Sequence, residues 1–390
     1  MTALAITALT AVSALGRGAA AHRDALLARR GGLRPNDFDP AVGGWIGRVD
    51  GIEDHALPPD LADYDCRNNR LADMALRSDG FAERVAEARA RYGPQRIATV
   101  LGTSTSGILS AEDAYRHRDA AGALPPGFDY ARTQDLYSLA AYVRAALGLH
   151  GPATVISTAC ASSARAFMDA ANLICAGVCD AAVVGGADSL CRMTLQGFQA
   201  LELISPGPCR PCAPDRSGIS IGEAAGFALL EREGTGLALL GAGASSDGHH
   251  MSSPHPEGAG AVAAMQAALR AARLDPASVD YINLHGTGTR ANDAVEDIAV
   301  AAVFGDRVPC SSTKGWTGHT LGACGILELL LSAQCMDGGF VAGCLGVEQP
   351  DPSFRAQVAT GTWERPVRTV LSNSFGFGGI NCSLVLGTVH

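Results

Sequence analysis

The 390-residue sequence lacks several features that mark other classes of protein. Aromatic residues make up only 5% of it, and no stretch approaches the roughly 18 unbroken apolar residues of a membrane-spanning helix. Lys and Arg total 30 against 39 Asp and Glu, and this formal charge of −9 argues against a nucleic-acid partner. A hydrophobic content of 47% predicts instead a folded globule, either one large α/β domain or two smaller ones.

The N-terminus also lacks the pattern of a secretory signal. No basic segment precedes the apolar run in MTALAITALTAVSALGRG, and Thr and Ser interrupt that run, so we predict a first buried strand. The 12 cysteines are scattered through a chain too long for a disulfide-stapled scaffold, which predicts a reducing, cytoplasmic location. Cys209 and Cys212 form one Cys-x-x-C without a second pair at metal spacing, so we expect no metal site.

Short runs rich in β-branched residues alternate with alanine-rich stretches. RIATVLGTSTSG, ATVISTAC and AAVVGGADS predict buried strands that lead into turns of small residues. SARAFMDAANLICAG and AVAAMQAALRAARL have apolar residues at three- and four-residue spacing, which predicts helices. This alternation favours a mainly parallel sheet covered by helices, hence an α/β fold.

The second part of the chain echoes the first. A new series begins near LALLGAGASSDG and ends with VRTVLSNSFGFGGINCSLVL, and the strands TVIST and TVLSN each precede a turn of small residues. We therefore predict an internal duplication, with halves at 1–235 and 236–390 joined around 228–236. No long linker separates the halves, so they are expected to pack as one body.

Cys160, in VISTACASSARAF, is the candidate nucleophile. It falls between a predicted buried strand and a predicted helix, where free N–H groups and the helix dipole would stabilise a thiolate and a developing oxyanion. The alternative is a small buried apolar residue. For three other cysteines we expect core packing: Cys175, Cys179 and Cys191.

Two further stretches offer partners for a thiolate. His285 follows an apolar run and precedes a Gly-Thr turn, and His319 follows Lys314 by five residues. Either histidine could act as a general acid or base. Lys314 could form a Schiff base, but we favour a structural cation paired with Glu328, which lies in an apolar helix.

The glycine-rich stretch NSFGFGGINCS, at 373–383, is neither a P-loop nor a dinucleotide fingerprint, because no G-K-[ST] follows and the spacing is not G-x-G-x-x-G. Glycines that let the backbone approach a substrate fit better, with the Phe375 amide available to an oxyanion. A loop contains three more histidines, which we expect to structure the loop or line a pocket: His249, His250 and His255.

Four motifs in order, T-A-C-A-S-S, H-G-T-G-T, K-x-x-x-G-H-x-x-G-A and N-S-F-G-F-G-G, resemble those of the β-ketoacyl-ACP synthases. The match is to the ketosynthase I/II branch of the thiolase superfamily and covers essentially the whole chain. It implies the thiolase fold, a five-layered αβαβα body of two duplicated halves. The first half would carry the nucleophilic cysteine and the second half the two catalytic histidines.

The resemblance also implies roles for the candidate residues. Cys160 would take the acyl chain as a thioester, and His285 and His319 would drive decarboxylation of the malonyl extender and stabilise the enolate. Lys314 belongs to the same catalytic set and, with Glu328 in support, would orient His319. Two neutral imidazoles can donate N–H bonds to one carbonyl oxygen as its charge develops.

Further roles concern substrate binding. The amides of Cys160 and Phe375 would form an oxyanion hole, and Phe375 would also be the gating aromatic. Thr287 and Thr289 correspond to hydroxyls that hold the phosphopantetheine arm. The enzyme itself would bind no cofactor, because its substrates arrive on the 4′-phosphopantetheine of acyl carrier protein (ACP).

The expected partners are ACP and either a second copy or a chain-length-factor-like homologue, which gives a homodimer or a heterodimer. Arg67 and Arg70, in DCRNNRLAD, are candidate carrier-docking cations, although a solvated helix face is the simpler interpretation.

Single residues distinguish this sequence from other groups of the thiolase superfamily. Ketosynthase III and chalcone-type enzymes use Cys-His-Asn, thiolases use a second cysteine, and chain-length factors lose the nucleophile. RPCAPDRSGISIGEAAG, at 210–226, resembles the aryl-polyene and xanthomonadin pigment branch. We therefore predict decarboxylative Claisen condensation of acyl-ACP with malonyl-ACP in aryl polyene-type biosynthesis. The alternatives are a general fatty-acid elongation ketosynthase and a non-catalytic chain-length-control subunit.

Overall fold

The secondary structure follows the alternation of β-branched and alanine-rich segments. The structure is a computed structural model that describes residues 2–389. Its strands are β1 (Leu4–Ser13), β2 (Gly16–Arg17), β3 (Arg34–Pro35), β4 (Trp45–Gly47), β5 (Ile97–Gly102), β6 (Ala153–Ile156), β7 (Ala181–Asp188), β8 (Ile221–Gly222), β9 (Ala224–Glu231), β10 (Gly236–Ser246), β11 (Tyr281–Asn283), β12 (Pro309–Ser311), β13 (Phe340–Val341), β14 (Gln357–Val358), β15 (Trp363–Glu364), β16 (Val370–Gly376) and β17 (Ile380–Val389).

The helices are α1 (Gly18–Leu27), α2 (Arg67–Leu76), α3 (Phe81–Tyr92), α4 (Ile108–Arg116), α5 (Tyr130–Thr133), α6 (Ser138–Leu147), α7 (Ser162–Cys175), α8 (Arg192–Ala200), α9 (Ala259–Ala272), α10 (Arg290–Phe304), α11 (Lys314–Thr317) and α12 (Cys324–Gly338). Short 3₁₀ turns occur at Pro59–Tyr64, Pro94–Arg96, Pro276–Ser278 and Leu321–Ala323.

The same five-strand pattern occurs twice. The first half has the order β6-β5-β7-β9-β1 and the second half the order β12-β11-β16-β17-β10, with the same parallel and antiparallel pairings at each step. The two sheets join where β1 pairs with β10. The duplication predicted from the sequence is therefore present, and the division at residue 235 stays a prediction.

The sequence comparison paired the wrong strands of the two halves. TVIST contains β6, whose counterpart by sheet position is β12, whereas TVLSN contains β16, the counterpart of β7. β6 was also expected to be buried. It pairs only with β5, as an edge strand, and its residues are exposed or half-buried.

Three large apolar clusters hold the five layers together, and one of them lies on both sides of the central layer. Helices α7 and α12 form the central layer and contact strands of both sheets, and α12 is buried on nearly all sides. Helices α2, α3 and α6 cover the outer face of the first sheet, and α9 and α10 cover that of the second. This αβαβα order is the predicted thiolase fold, in which the N-terminal end of α7 and the loop before α12 meet in the middle of the molecule.

The burial of the cysteines differs from expectation at one position. Cys179 and Cys191 are buried as predicted, but Cys175 is exposed because it ends α7 on the solvent side. None of the cysteines in residues 2–389 forms a disulfide. The N-terminal segment forms the largely buried β1, and within the described residues no helix combines the length and apolarity needed to cross a bilayer.

Candidate active site

A sharp turn between β6 and α7 places Cys160 at the start of the central helix. Ala159 has a φ of 50°, a left-handed conformation that reverses the chain. The Ser162 hydroxyl accepts a hydrogen bond from the Thr158 N–H (2.9 Å) and donates to the Ala159 carbonyl (2.6 Å), which fixes the turn. Cys160 is therefore held rigidly at the positive end of the α7 dipole, with 6% of its surface exposed.

The fold brings Cys160 together with both histidines of the second half. The His319 Nε2 atom lies 3.0 Å from the Cys160 sulfur. The His285 and His319 rings are 5.2 Å apart at 83° to each other, and one ligand atom from each of the three residues lies within 4.8 Å of the others. A sulfur nucleophile and two imidazoles thus share one small volume.

The Lys314–Glu328 pair supports His285 and not, as predicted, His319. The Lys314 Nζ donates to the His285 carbonyl (2.5 Å) and to its Nδ1 (3.3 Å), and it forms a buried ion pair with Glu328. An ammonium can only donate, so Nδ1 of His285 is the acceptor and its proton resides on Nε2. Lys314 is the only lysine in the sequence, among 30 basic residues.

Glu296 is a positioning residue that the motifs did not reveal. Its carboxylate accepts hydrogen bonds from the backbone N–H groups of His285 (2.8 Å) and Gly286 (2.7 Å) and from the Asn373 side chain (3.2 Å). Burial raises its pKa to about 7, against the effect of these donors. The sequence did contain a signal for it, because Glu296 is an acidic residue at an otherwise apolar position of the helical pattern of α10.

Asp188 joins the loop of His319 to the first half. Its buried carboxylate accepts from the Thr103 hydroxyl (2.7 Å), the Thr105 amide (2.8 Å) and the Gly322 amide (2.5 Å). Because Gly322 follows His319 by only three residues, this carboxylate fixes the approach of the imidazole to the sulfur.

Burial sets the protonation states of the site. It raises the pKa of Cys160 to about 11, against the effect of the nearby Lys314 ammonium. It lowers the pKa of His285 and His319 well below the usual value, and Lys314 lowers both further. Burial also opposes charge on Lys314, but Glu328 outweighs this and raises its pKa. The resting site therefore has a neutral thiol, two neutral imidazoles and one ammonium.

The backbone amide that faces the sulfur is that of Phe377, not that of Phe375. The backbone N–H groups of Phe377 and of Cys160 itself favour the thiolate form of the sulfur and so oppose the rise in the pKa of Cys160. A Cβ atom at Gly376 would lie 2.8 Å from the Thr158 carbonyl, so only glycine lets this segment pass so close to the turn. The oxyanion hole expected from the amides of Cys160 and Phe375 stays a prediction, and the Phe377 amide is a second candidate for it.

The phenyl rings of Phe375 and Phe377 also have different surroundings. Phe377 is 36% exposed, lines the cavity and packs 5.6 Å from the Phe198 ring. Phe375 packs 6.0 Å from the His285 ring on the inner side. Both rings line the cavity, so the gating role expected of Phe375 stays a prediction, and the more exposed Phe377 is a second candidate.

A cavity of about 470 Å³ connects this site with solvent. Cys160 and both histidines line its inner part. Thr287 and Thr289 line it too, with hydroxyl oxygens 3.0 Å apart, and Thr289 also caps α10. Their contact with a phosphopantetheine arm stays a prediction.

Arg67 is unsuited to the carrier-docking role suggested for it. Its side chain is 8% exposed and forms two hydrogen bonds with the buried Glu223 carboxylate, at 2.7 and 2.6 Å. Arg70 pairs with Asp65 at the surface and remains a candidate. The sequence could not show that Arg67 forms an internal ion pair.

The Cys-x-x-C pair lies apart from the reacting groups. Cys209 and Cys212 are both buried, and the Cys209 thiol donates to the Lys314 carbonyl at 3.2 Å. Among the described residues, the three side chains of the active site are the one group with the spacing of metal ligands.

The two-half αβαβα fold and the shared cysteine–histidine site define a condensing enzyme of the thiolase superfamily. Comparison with protein families identifies the chain more closely. "Beta-ketoacyl synthase, N-terminal domain" matches residues 68–235, and "Beta-ketoacyl synthase, C-terminal domain" matches residues 237–348. The chain belongs to the β-ketoacyl synthase family and is an acyltransferase that forms carbon–carbon bonds.

Individual relatives agree with this assignment. Nodulation protein E of Rhizobium sp. (strain N33) is 36% identical over 75% of this chain and 76% of its own. 3-Oxoacyl-[acyl-carrier-protein] synthase 2 of Rhizobium meliloti (strain 1021) is 35% identical over 81% and 78%. A chain from the solved complex of the ketosynthase ApeO with its chain length factor ApeC, from Xenorhabdus doucetiae, superimposes with a TM-score of 0.91 at 40% identity, covering 100% and 98% of the chains.

Proposed function

We propose that this ketosynthase joins acyl-ACP to malonyl-ACP by decarboxylative Claisen condensation, in the biosynthesis of an aryl polyene-type chain. The observation that carries the reaction is the 3.0 Å contact between the Cys160 sulfur and His319 Nε2, with His285 in the same cavity.

The first step is acyl transfer to Cys160. The sulfur attacks the carbonyl of the carrier thioester, and its proton passes to His319 Nε2. The N–H groups of Cys160 and Phe377 hold the oxyanion that forms. When the oxyanion collapses, the carbon–sulfur bond to the carrier breaks, and the departing carrier thiolate takes the proton from His319.

The second step is decarboxylation of malonyl-ACP. The bond to the carboxylate breaks, carbon dioxide leaves, and the electron pair forms an enolate. The Nε2–H of His285 and, in its Nε2-protonated tautomer, that of His319 stabilise its oxygen, which requires both rings to be neutral before the reaction. The enolate carbon then attacks the acyl-cysteine, the carbon–sulfur bond breaks, and the Cys160 thiolate takes up a proton from solvent.

The sequence of the segment 210–226 supports the pigment pathway. Among its departures from the common fatty-acid pattern, which has Asp and Phe at these two positions, Ser217 and Ile219 line the cavity. A change at these positions alters the surface that a growing chain contacts. General fatty-acid elongation is the competing function.

The proposed partners are ACP and a chain-length-factor-like homologue. The similarity to a chain of the complex between a ketosynthase and its chain length factor favours a heterodimer over a homodimer. The free edge of β6, with Thr154 exposed and Val155 half-buried, offers unpaired backbone groups to a strand of either partner. We place the protein in a reducing, cytoplasmic setting.

The test is intact-mass analysis after incubation with acyl-ACP. A single acyl adduct is expected on the wild type and on Cys175→Ala, which removes an exposed thiol that could acylate non-specifically. Cys160→Ala should show no adduct. An adduct that persists on Cys160→Ala, or none on the wild type, would refute the assignment.

A second measurement separates the alternatives. The wild type should release carbon dioxide from malonyl-ACP, whereas a non-catalytic subunit should release none. Faster acylation by unsaturated or aryl-primed acyl-ACP than by saturated acyl-ACP of equal length is expected for the pigment pathway. The opposite preference would favour fatty-acid elongation.

A further inference from the structure

The charges that line the active-site cavity are few and uneven. Among the described lining residues, Glu202, Asp247 and Arg290 carry formal charge at neutral pH, since both imidazoles are neutral. Arg290 is thus the one cation on the cavity wall. The Lys314 ammonium lies behind His285 and is enclosed by its own partners.

The Arg290 guanidinium forms no hydrogen bond or ion pair with other described residues. Arg290 is exposed and forms no ion pair with any residue in the range 2–389. Asp247 shows the contrast, because its carboxylate already accepts from the Asn381 side chain (2.7 Å) and from the His255 amide (3.0 Å). An unpaired cation at the solvent end of a cavity is available to an anionic ligand.

Arg290 also lies beside the hydroxyls predicted to contact the substrate arm. It directly follows Thr289, whose side chain accepts from the Asn292 N–H and lies 3.0 Å from that of Thr287. These neighbours fix the backbone at Arg290 against the cavity wall. The guanidinium therefore stays at the mouth while Cys160 lies at the inner end.

We propose that Arg290 binds the phosphodiester of the phosphopantetheine arm and thereby positions both carrier-bound substrates. This inference rests on the proposed function, which brings its substrates on such an arm. The thioester and the phosphodiester are at opposite ends of the arm, so a thioester at Cys160 leaves the phosphodiester towards the mouth. A planar guanidinium with several N–H donors matches two phosphate oxygens at once.

The experiment measures binding without chemistry. Dissociation constants are determined calorimetrically for S-methyl phosphopantetheine and S-methyl pantetheine, which cannot acylate Cys160 and differ only in the phosphate. The proteins are the wild type, Arg290→Ala, Arg290→Lys and Arg307→Ala. Arg307 is the matched control, because it is an exposed arginine just beyond the opposite end of α10.

For the wild type and Arg307→Ala we expect about tenfold tighter binding of the phosphorylated compound at low salt, the scale of one charge-assisted contact. In Arg290→Ala the two compounds should bind about equally tightly. Arg290→Lys should restore part of the preference for the phosphorylated compound, and high salt should reduce that preference in the wild type. A preference unchanged in Arg290→Ala would overturn the proposal, and so would equal weakening of both compounds.

Acylation of Cys160 by the acyl thioesters of both compounds gives an independent readout. If neither thioester acylates the wild type while the phosphate preference in binding disappears only in Arg290→Ala, the proposed function fails and the phosphate site stands. If acylation proceeds and Arg290→Ala weakens the use of malonyl but not acyl thioesters, Arg290 recognises the malonyl carboxylate and the proposal is wrong.

Discussion

His285 and His319 share one pocket but are held in different ways. The structure fixes His285 on three sides: Glu296 binds its backbone N–H, and Lys314 binds both its carbonyl and its Nδ1. His319 is fixed through its backbone, with its N–H on the Ser220 carbonyl. Its Nε2 contacts the Cys160 sulfur, while its buried Nδ1 has no hydrogen-bond partner among the described residues.

The difference assigns different tasks to two chemically identical rings. A ring whose Nδ1 always accepts from an ammonium keeps its proton on Nε2 and acts as a fixed hydrogen-bond donor. A ring with a free Nδ1 and a thiol at Nε2 can take up and release a proton. His285 is therefore suited to holding the enolate, and His319 to moving the sulfur proton as well.

Removing either ring gives the largest expected effect. His285→Ala and His319→Ala should each lower the condensation rate by about 10³-fold or more, within the range of general acid–base and oxyanion contributions. The intermediate steps sharpen the comparison. His319→Ala should slow acylation of Cys160 more than decarboxylation of malonyl-ACP, and His285→Ala the reverse, as measured by adduct mass and carbon dioxide release. Identical profiles would remove the division of tasks.

Breaking the buried Lys314–Glu328 ion pair should have the second-largest effect. Lys314→Met leaves Glu328 uncompensated, which should lower the free energy of unfolding by about 3–5 kcal/mol and free Nδ1 of His285. The double variant Lys314→Met/Glu328→Leu should recover stability but not activity. Arg23→Ala removes the exposed partner of Asp337, at the end of the same helix, and should change stability by at most about 1 kcal/mol. Recovery of activity in the double variant would show that the ammonium does not act on His285.

Weakening the backbone support of His285 should have a smaller effect. Glu296→Gln should lower kcat by about tenfold and stability by about 1–3 kcal/mol, because an amide cannot accept as the carboxylate does. The neighbouring Asp297 is a matched control, since its carboxylate accepts from the Arg355 and Ala356 amides away from the site. Asp297→Asn should lower stability without lowering kcat. Equal losses of kcat would reduce Glu296 to a general structural role.

The smallest effect concerns pH. Both histidines have a pKa well below the usual value in the folded protein, because burial disfavours the charged ring. As pH falls below about 6.5, these two rings bind protons in the unfolded chain but not in the folded protein, so their contribution to stability decreases. The raised pKa of Glu296 contributes with the opposite sign. Each ring should contribute about 1.4 kcal/mol per pH unit in that window. In urea unfolding, the stability of His319→Asn relative to the wild type should increase as pH falls from 7.5 to 5.5. An identical pH dependence would mean that His319 is not held neutral.

Sequence patterns could predict the fold and the reacting groups because each depends on local spacing. The strand–turn–helix pattern around Cys160 and the two histidine motifs identify the three side chains that converge. The patterns could not predict which imidazole Lys314 contacts, since that depends on how α11 packs against β11.

The errors have the same origin. The amides of Phe375 and Phe377 are equivalent in sequence, and only the close passage of Gly376 over the Cys160 turn decides between them. β6 has the composition of a buried strand, but its place at the sheet edge is a matter of topology. Arg67 has the composition of a surface cation, yet it pairs with a carboxylate from a distant segment.

The protonation state of His285 tests the central claim most directly. Lys314 is the only lysine, so ¹⁵N labelling of lysine Nζ gives one side-chain signal, and ¹⁵N labelling of the histidine rings with a His285→Gln reference identifies the ring signals. We predict a charged ammonium from pH 6 to 9, with His285 neutral, unprotonated at Nδ1 and protonated at Nε2. A neutral Lys314 amine, or a proton on Nδ1 of His285, would contradict the account.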